Sequence, residues 1–261
     1  MIDLSYENRF GGLERIYGSG ALGRLRAAHV LLVGLGGVGS WTVEALARTG
    51  IGTLTLVDLD DVCATNTNRQ LHALDPEWGR LKADVLVDRV RRINPEAKVT
   101  SVADFFTRKS AAALLESTPT LVVDAIDSVN DKVTLIEECR ARGLPVVVSG
   151  GAGGKTDPTR VRWADLGQEQ GDPLLKAVKR GLKSRGVLPN SQGVWNVECV
   201  FSDEPSVLPW DVCEAIPAPG QGGSARIDCA TGFGAVAFAT GTFGFALASR
   251  AVKRILGEIR S

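Results

Sequence analysis

Residues 29–50, HVLLVGLGGVGSWTVEALARTG, set Gly34, Gly36 and Gly39 in a G-x-G-x-x-G array, with Gly37 added, between an apolar strand and a helix. The first glycine permits a tight turn, the second lets a phosphate approach the backbone, and the third lets the helix pack close. Peptide N–H groups and the positive helix end then face an anion. Asp58, ending the next apolar run, is placed to bond a ribose hydroxyl. These features serve NAD and a phosphate-donating nucleotide equally well.

The loop that follows separates the two. LVDLDDVCATNTNRQLHAL gathers Asp58, Asp60, Asn66, Asn68, Arg69 and Gln70 at the carboxyl end of a strand, and Lys82 comes soon after, in the next helix. A hydride-transfer site has no need of an arginine and a lysine aimed at phosphates. An enzyme that cleaves between the α- and β-phosphates must stabilise the charge that develops there. Asp127, in VVDAIDSVNDK just past another apolar strand, suits Mg²⁺ held against triphosphate oxygens, and helix capping by Asp127 or Ser128 is compatible with that role.

The elements that must position these residues alternate. Strands are expected at HVLLVG, TLTLVD, KVTSVA, TLVVDAID and PVVVSG. Helices are expected at VGSWTVEALARTG, RLKADVLVDRVRRIN, SAAALLES and NDKVTLIEECRARG. This order gives an α/β class, a doubly wound Rossmann-like and mostly parallel sheet with ligands at the carboxyl ends of its strands. After Gly150 the alternation stops. TRVRWADL and VWNVECVFS read as strands, DPLLKAVKRGLKSRG as a helix, and EPSVLPWDVCEAIPAPGQGG as a loop. The division expected is a nucleotide-binding core with an N-terminal helical arm over residues 1–150, and an extension over 151–261 packed on it as one unit.

The 261 residues carry 30 basic and 30 acidic side chains, so a polyanion must be met by a local patch. KAVKRGLKSRG offers one in Lys176, Lys179, Arg180, Lys183 and Arg185, with no acid among them. The five cysteines lack CxxC spacing, and no zinc site or disulfide framework is expected, which points to a reducing cytoplasm. Residues 229–249 carry no charge and approach the length of a membrane span. Their glycines and hydroxyl side chains favour a closely packed buried helix over membrane association. SGGAGGKT at 149–156 is a near-miss P-loop: Ser149 stands at the first glycine position and DPTRVRW reads as turn and strand where a helix is needed.

GLGGVGS, LVDLDD, NTNRQ, Lys82 and DAIDSVNDK together resemble the ATP-binding signature of the ubiquitin-activating-enzyme-like superfamily, over about residues 9–150. Within it, RFGGLERIYG, DDVCATNTNRQ, SGGAGGKTDPT and DCATGFGA resemble the tRNA threonylcarbamoyladenosine dehydratases across nearly the whole chain. The resemblance implies activation of a carboxylate as an acyl-adenylate, with Mg²⁺ and ATP as cofactors, a monovalent cation as an optional third, and a homodimer acting on tRNA and not DNA. It implies that Gly34, Gly36, Gly37 and Gly39 face ATP, Asp58 the ribose, Asn66 and Arg69 the phosphates, Lys82 the developing charge and Asp127 the metal. It leaves Lys155 to meet RNA.

One position departs from the pattern. Where sulfur-carrier activators read R-Y-x-R-Q, this chain reads Arg9-Phe10-Gly11-Gly12-Leu13, so the second arginine, given across the dimer, is Gly12, with Arg15 as its substitute. Two rival functions follow from the same residues. Activation of a ubiquitin-like sulfur carrier would bring a carrier or sulfur-transfer protein as partner, yet residues 140–198 hold no cysteine. An NAD-binding oxidoreductase would need a proton donor, and only His29 and His72 are offered. The role of Cys229 is open between a small buried residue and a participant.

Overall fold

A computed structural model of the chain describes residues 4–208 and 233–257. Cys229 and most of the proline-rich loop lie outside the described residues. The sheet has seven strands in the order β3-β2-β1-β4-β5-β7-β6. They are β1 His29–Val33, β2 Thr53–Val57, β3 Lys98–Val102, β4 Leu121–Asp124, β5 Val146–Ser149, β6 Val161–Asp165 and β7 Glu198–Ser202. All neighbours run parallel except the β6–β7 pair.

The interior strands β4 and β5 are buried at every residue, as the runs LVVD and VVVS require of strands covered on both faces. Alternate side chains serve two cores. Val30, Leu32, Leu54, Leu56, Val123 and Val147 face one layer, made of α3 (Ala21–Ala27), α4 (Gly37–Arg48), α5 (Lys82–Ile93) and α9 (Ala237–Ile255). Leu31, Val33, Val122, Val146 and Val148 face the other, made of α6 (Ala111–Leu115), α7 (Val129–Ala141) and α8 (Pro173–Ser184).

Strands β6 and β7 and helix α9 come from the C-terminal part of the chain, and they extend the same sheet and layer as the nucleotide-binding part. No helix among the described residues is long and apolar enough to cross a membrane. α9 instead crosses α4 closely: a Cβ on Gly244 would come 2.6 Å from Trp41 Cβ and 2.7 Å from the Val38 carbonyl. The glycines that lower the hydropathy of this stretch are therefore the residues that let the two backbones meet.

The N-terminal arm, with α1 (Tyr6–Phe10) and α2 (Glu14–Tyr17), sits at the amino ends of the strands. Tyr6 donates its hydroxyl proton to the Gly50 carbonyl at 2.5 Å, and Gly50 stands just before β2.

Candidate active site

The strand order reverses direction between β1 and β4, which opens a crevice at their carboxyl ends. Both walls of that crevice come from turns the sequence singles out. After β1, Gly34 adopts φ 88°, and a Cβ there would lie 2.8 Å from the Ala125 carbonyl group in the turn after β4. Only glycine permits both that left-handed backbone and that approach. Gly36 then precedes α4, Gly37 begins it and Gly39 is buried in its first turn, so the amides at its start are free to face an anion.

Asp58 follows β2 and is 8% exposed. Its carboxylate accepts the Leu35 N–H at 2.6 Å and the Asp60 N–H at 2.9 Å, so the expected ribose acid also braces the glycine turn. Burial pushes the Asp58 carboxyl above its usual range, against the pull of the Leu35 N–H and of Lys82. Lys82 opens α5 almost wholly buried, and its Nζ donates to the exposed Asp60 carboxylate at 2.8 Å. An ammonium so withdrawn from water, with one exposed carboxylate as partner, is positioned for a second anion.

The loop between β2 and α5 uses its polar side chains largely on itself. Asn66 is buried and its Oδ1 accepts the Cys63 N–H at 3.1 Å, so the side chain expected at the phosphates shapes the loop from within. Asn68 donates from Nδ2 to the Ala235 carbonyl at 2.8 Å. The Arg69 guanidinium donates to the Thr65 carbonyl at 2.7 Å and to Asn68 Oδ1 at 3.0 Å. Gln70 and His72 are buried, with Gln70 Oε1 and both His72 ring nitrogens unpartnered among the described residues. Burial, with Lys82 nearby, lowers the His72 pKa to about 4, so the ring is neutral.

In the turn after β4 the two aspartates divide their tasks. Asp124 is fully buried and paired with Lys132 at 2.9 Å, whereas Asp127 is exposed and makes no hydrogen bond or ion pair among the described residues. Ser128 takes the capping position of α7 without a side-chain cap bond, so Asp127 is not spent on the helix. No group of three or more potential metal ligands occurs among the described residues. A single free carboxylate at the crevice is a ligand of the kind Mg²⁺ takes, since that ion keeps most of its waters and uses one or two carboxylates plus phosphate oxygens.

The expected RNA contacts are redistributed. Lys155 is 2% exposed and donates to the Glu204 carbonyl, so it is corrected from an RNA contact to a buried tie. The cause is Glu204, whose carboxylate accepts the N–H groups of Thr156 and Asp157, each at 3.0 Å, and the Thr156 hydroxyl at 2.8 Å, drawing the loop inward. No helix follows that loop; Pro158–Arg160 is a single 3₁₀ turn leading into β6, which is not a P-loop. On α8, Lys179 pairs with Glu169 at 2.7 Å and Arg185 with Glu137 at 3.1 Å, leaving Lys176, Arg180 and Lys183 exposed and unpaired among the described residues. α8 begins at the crevice end, where Asp172 accepts both the Leu175 and Gly151 N–H groups, at 3.0 and 2.8 Å.

Arg15 is exposed on the arm, at the opposite edge of the sheet from the crevice. Among the described residues Arg15 makes no hydrogen bond or ion pair, and none ties it to its own chain's glycine turn. His29 begins β1 at that same far edge, its Nε2 2.9 Å from Thr55 Oγ1. His29 therefore stands at the end of β1 away from the crevice, while His72 is buried in the loop after β2.

A model of the ThiF family matches residues 7–261. The chain belongs to the ThiF family. Among ThiF-family relatives, the tRNA threonylcarbamoyladenosine dehydratase of Escherichia coli (strain K12) is 48% identical over 262 residues, covering 99% of this chain and 97% of that one. The dehydratase of the same name from Haemophilus influenzae is 44% identical, covering 97% and 95%. A crystal structure of the Escherichia coli enzyme in complex with ATP superimposes with a TM-score of 0.86 at 45% identity, covering 99% of this chain and 98% of that one.

Proposed function

We infer that the chain catalyses the ATP-dependent dehydration of threonylcarbamoyladenosine in tRNA, closing its side chain to a cyclic form. The observation that carries this reading is the crevice itself: a helix start, the Arg69 loop, Lys82 and the free Asp127 carboxylate share one edge of the sheet. That edge is built for a polyphosphate, and the full-length likeness to dehydratases specifies the acceptor.

The threonyl carboxylate attacks the α-phosphorus of ATP, and pyrophosphate leaves from it. An internal nucleophile of the carbamoyl side chain then attacks the activated carbonyl and AMP departs, so the nucleoside loses one water. The α4 amides hold phosphate oxygens, and Asp58 faces the ribose while keeping the glycine turn in place. Arg69 and Lys82 balance charge that grows on the phosphates, and Lys82 exchanges Asp60 for them. Mg²⁺ at Asp127 would neutralise further phosphate charge. His72, neutral and buried, takes no proton, and the chain's contribution is position and charge.

The exposed cations of α8 receive the tRNA backbone. A second copy of the chain supplies Arg15 to the crevice, a reading supported by the anchoring of the arm at the amino ends of its own strands. The test is incubation with Mg-ATP and tRNA bearing threonylcarbamoyladenosine, followed by mild digestion and mass measurement of the nucleosides. ATP-dependent loss of one water is expected. If no water is lost, and ATP–pyrophosphate exchange appears only with a ubiquitin-like carrier, the assignment passes to sulfur-carrier activation.

A further inference from the structure

We propose that Thr240 and Trp41 are positioning residues for Arg69, so that the C-terminal helix α9 sets the phosphate loop. This rests on the reading of Arg69 as a phosphate contact. Two donors from two helices converge on the Arg69 carbonyl: Trp41 Nε1 on α4 at 3.1 Å and Thr240 Oγ1 on α9 at 3.0 Å. The Thr240 hydroxyl has one proton and two further carbonyls in reach, Val236 and Ala237, both at 3.3 Å, and Arg69 is the nearest.

The other side of Thr240 meets the nucleotide turn. A Cβ on Gly37 would lie 3.0 Å from Thr240 Cγ2 and 3.6 Å from Arg69 Cγ. Thr240 is 3% exposed, so one side chain packs its methyl beside the glycine turn and aims its hydroxyl at the phosphate loop. One residue earlier in the loop, the Asn68 amide holds the Ala235 carbonyl at 2.8 Å, just ahead of α9. Nothing local to the loop makes these bonds; Thr240 lies 171 residues from Arg69 in sequence.

The physical consequence is preorganisation. An arginine whose backbone is fixed by the buried Thr240 hydroxyl and the half-buried Trp41 indole loses less freedom when its guanidinium leaves the Thr65 carbonyl for a phosphate. A loop without the Thr240 bond samples more positions, and ATP must order it.

The experiment measures ATP and adenosine affinity of the full chain by calorimetry for Thr240→Val, Thr240→Ser, Arg69→Ala and Thr240→Val combined with Arg69→Ala. Thr240→Val keeps the shape and loses the hydroxyl; ATP binding is expected to weaken about fivefold, with adenosine binding unchanged. Thr240→Ser restores the hydroxyl and ATP binding. In the Arg69→Ala background Thr240→Val adds nothing, because the threonine acts through the arginine. An equal loss in that background, or a loss for adenosine as well, overturns the proposal in favour of general packing. Full ATP affinity in Thr240→Val beside a weakened Arg69→Ala overturns it while leaving the phosphate role of Arg69 standing. Unchanged ATP affinity in Arg69→Ala removes that role and the proposal with it.

Discussion

Lys132 Nζ donates to Asp124 Oδ1 at 2.9 Å with both side chains fully buried, directly beneath the turn that carries Asp127. The same oxygen accepts the Ile126 N–H at 2.9 Å, so the carboxylate holds the turn at two points. The other oxygen, Oδ2, is buried without a partner among the described residues. A charge in that setting is tolerated because Lys132 is there, and removal of one partner leaves the other stranded.

Lys132→Met is therefore expected to cost about 3–5 kcal/mol at pH 7, measured by urea unfolding. The sign of its pH dependence is fixed by the carboxyl. Burial pushes Asp124 above its usual value of 3.8, so the folded state binds its proton more readily than the unfolded chain does. Stability then rises as pH falls toward the unfolded value and is lost as pH climbs through the folded one. Without Lys132 that window widens upward, and the variant should recover part of its loss at mildly acidic pH. A loss independent of pH would show that the Asp124 proton equilibrium does not depend on Lys132.

His72 gives the opposite dependence. Its pKa falls from 6.5 to about 4 through burial and the neighbouring Lys82, so the unfolded chain takes the proton first. The stability contributed by the neutral ring is complete above pH 6.5 and disappears as pH falls toward 4. Between pH 7.5 and pH 5 this amounts to about 2 kcal/mol. A His72→Phe variant, which cannot titrate, should lose that much less than the parent over the same interval in paired urea titrations. Equal losses would place the His72 proton equilibrium near that of a solvated imidazole.

Much of the architecture is legible in the chain because it is periodic or local. VLLV in β1 and VVV in β5 are continuous apolar runs rich in β-branched residues that suit a strand covered on both faces, and the Gly34 turn follows from one left-handed residue. Lys155 is illegible for the opposite reason. GGAGGKT has the composition of an exposed loop, and what turns it inward is Glu204, 49 residues away, a partner that no local pattern announces. The same holds for Arg69, visible as a phosphate candidate from its neighbours, while the bonds from Trp41 and Thr240 that fix it come from distant helices. Lys132 looks in sequence like another polar residue beside Asp127, and its burial is decided by the depth at which β4 ends.

The relocation of Lys155 separates two variants. Lys155→Met leaves the Glu204 carbonyl without its donor and should cost about 1–3 kcal/mol of stability, with tRNA affinity at fixed salt unchanged. Reversal of Lys176, Arg180 and Lys183 to glutamate should leave folding intact, since all three are exposed and unpaired among the described residues. It should weaken tRNA binding and lower the slope of log affinity against log salt by about one for each phosphate that α8 no longer neutralises. Filter binding across a salt series reads both. An unaltered slope would place the RNA surface on another face.

The position of the N-terminal arm leads to the last prediction. Arg15 lies on the far edge of its own sheet, so if it serves the crevice it does so in a neighbouring copy. Lys82→Ala and Arg15→Ala should each be nearly inactive alone, the first by about 100-fold or more. In a mixed dimer the two crevices differ. The one in the Arg15→Ala protomer keeps Lys82 and receives an intact Arg15 from its partner, while the other lacks both. Random exchange makes half of the dimers mixed, so co-refolded variants should recover roughly a quarter of native activity, by the symmetry of a two-fold assembly. No recovery in a sample shown by mass measurement to contain mixed dimers would mean that Arg15 does not act across an interface.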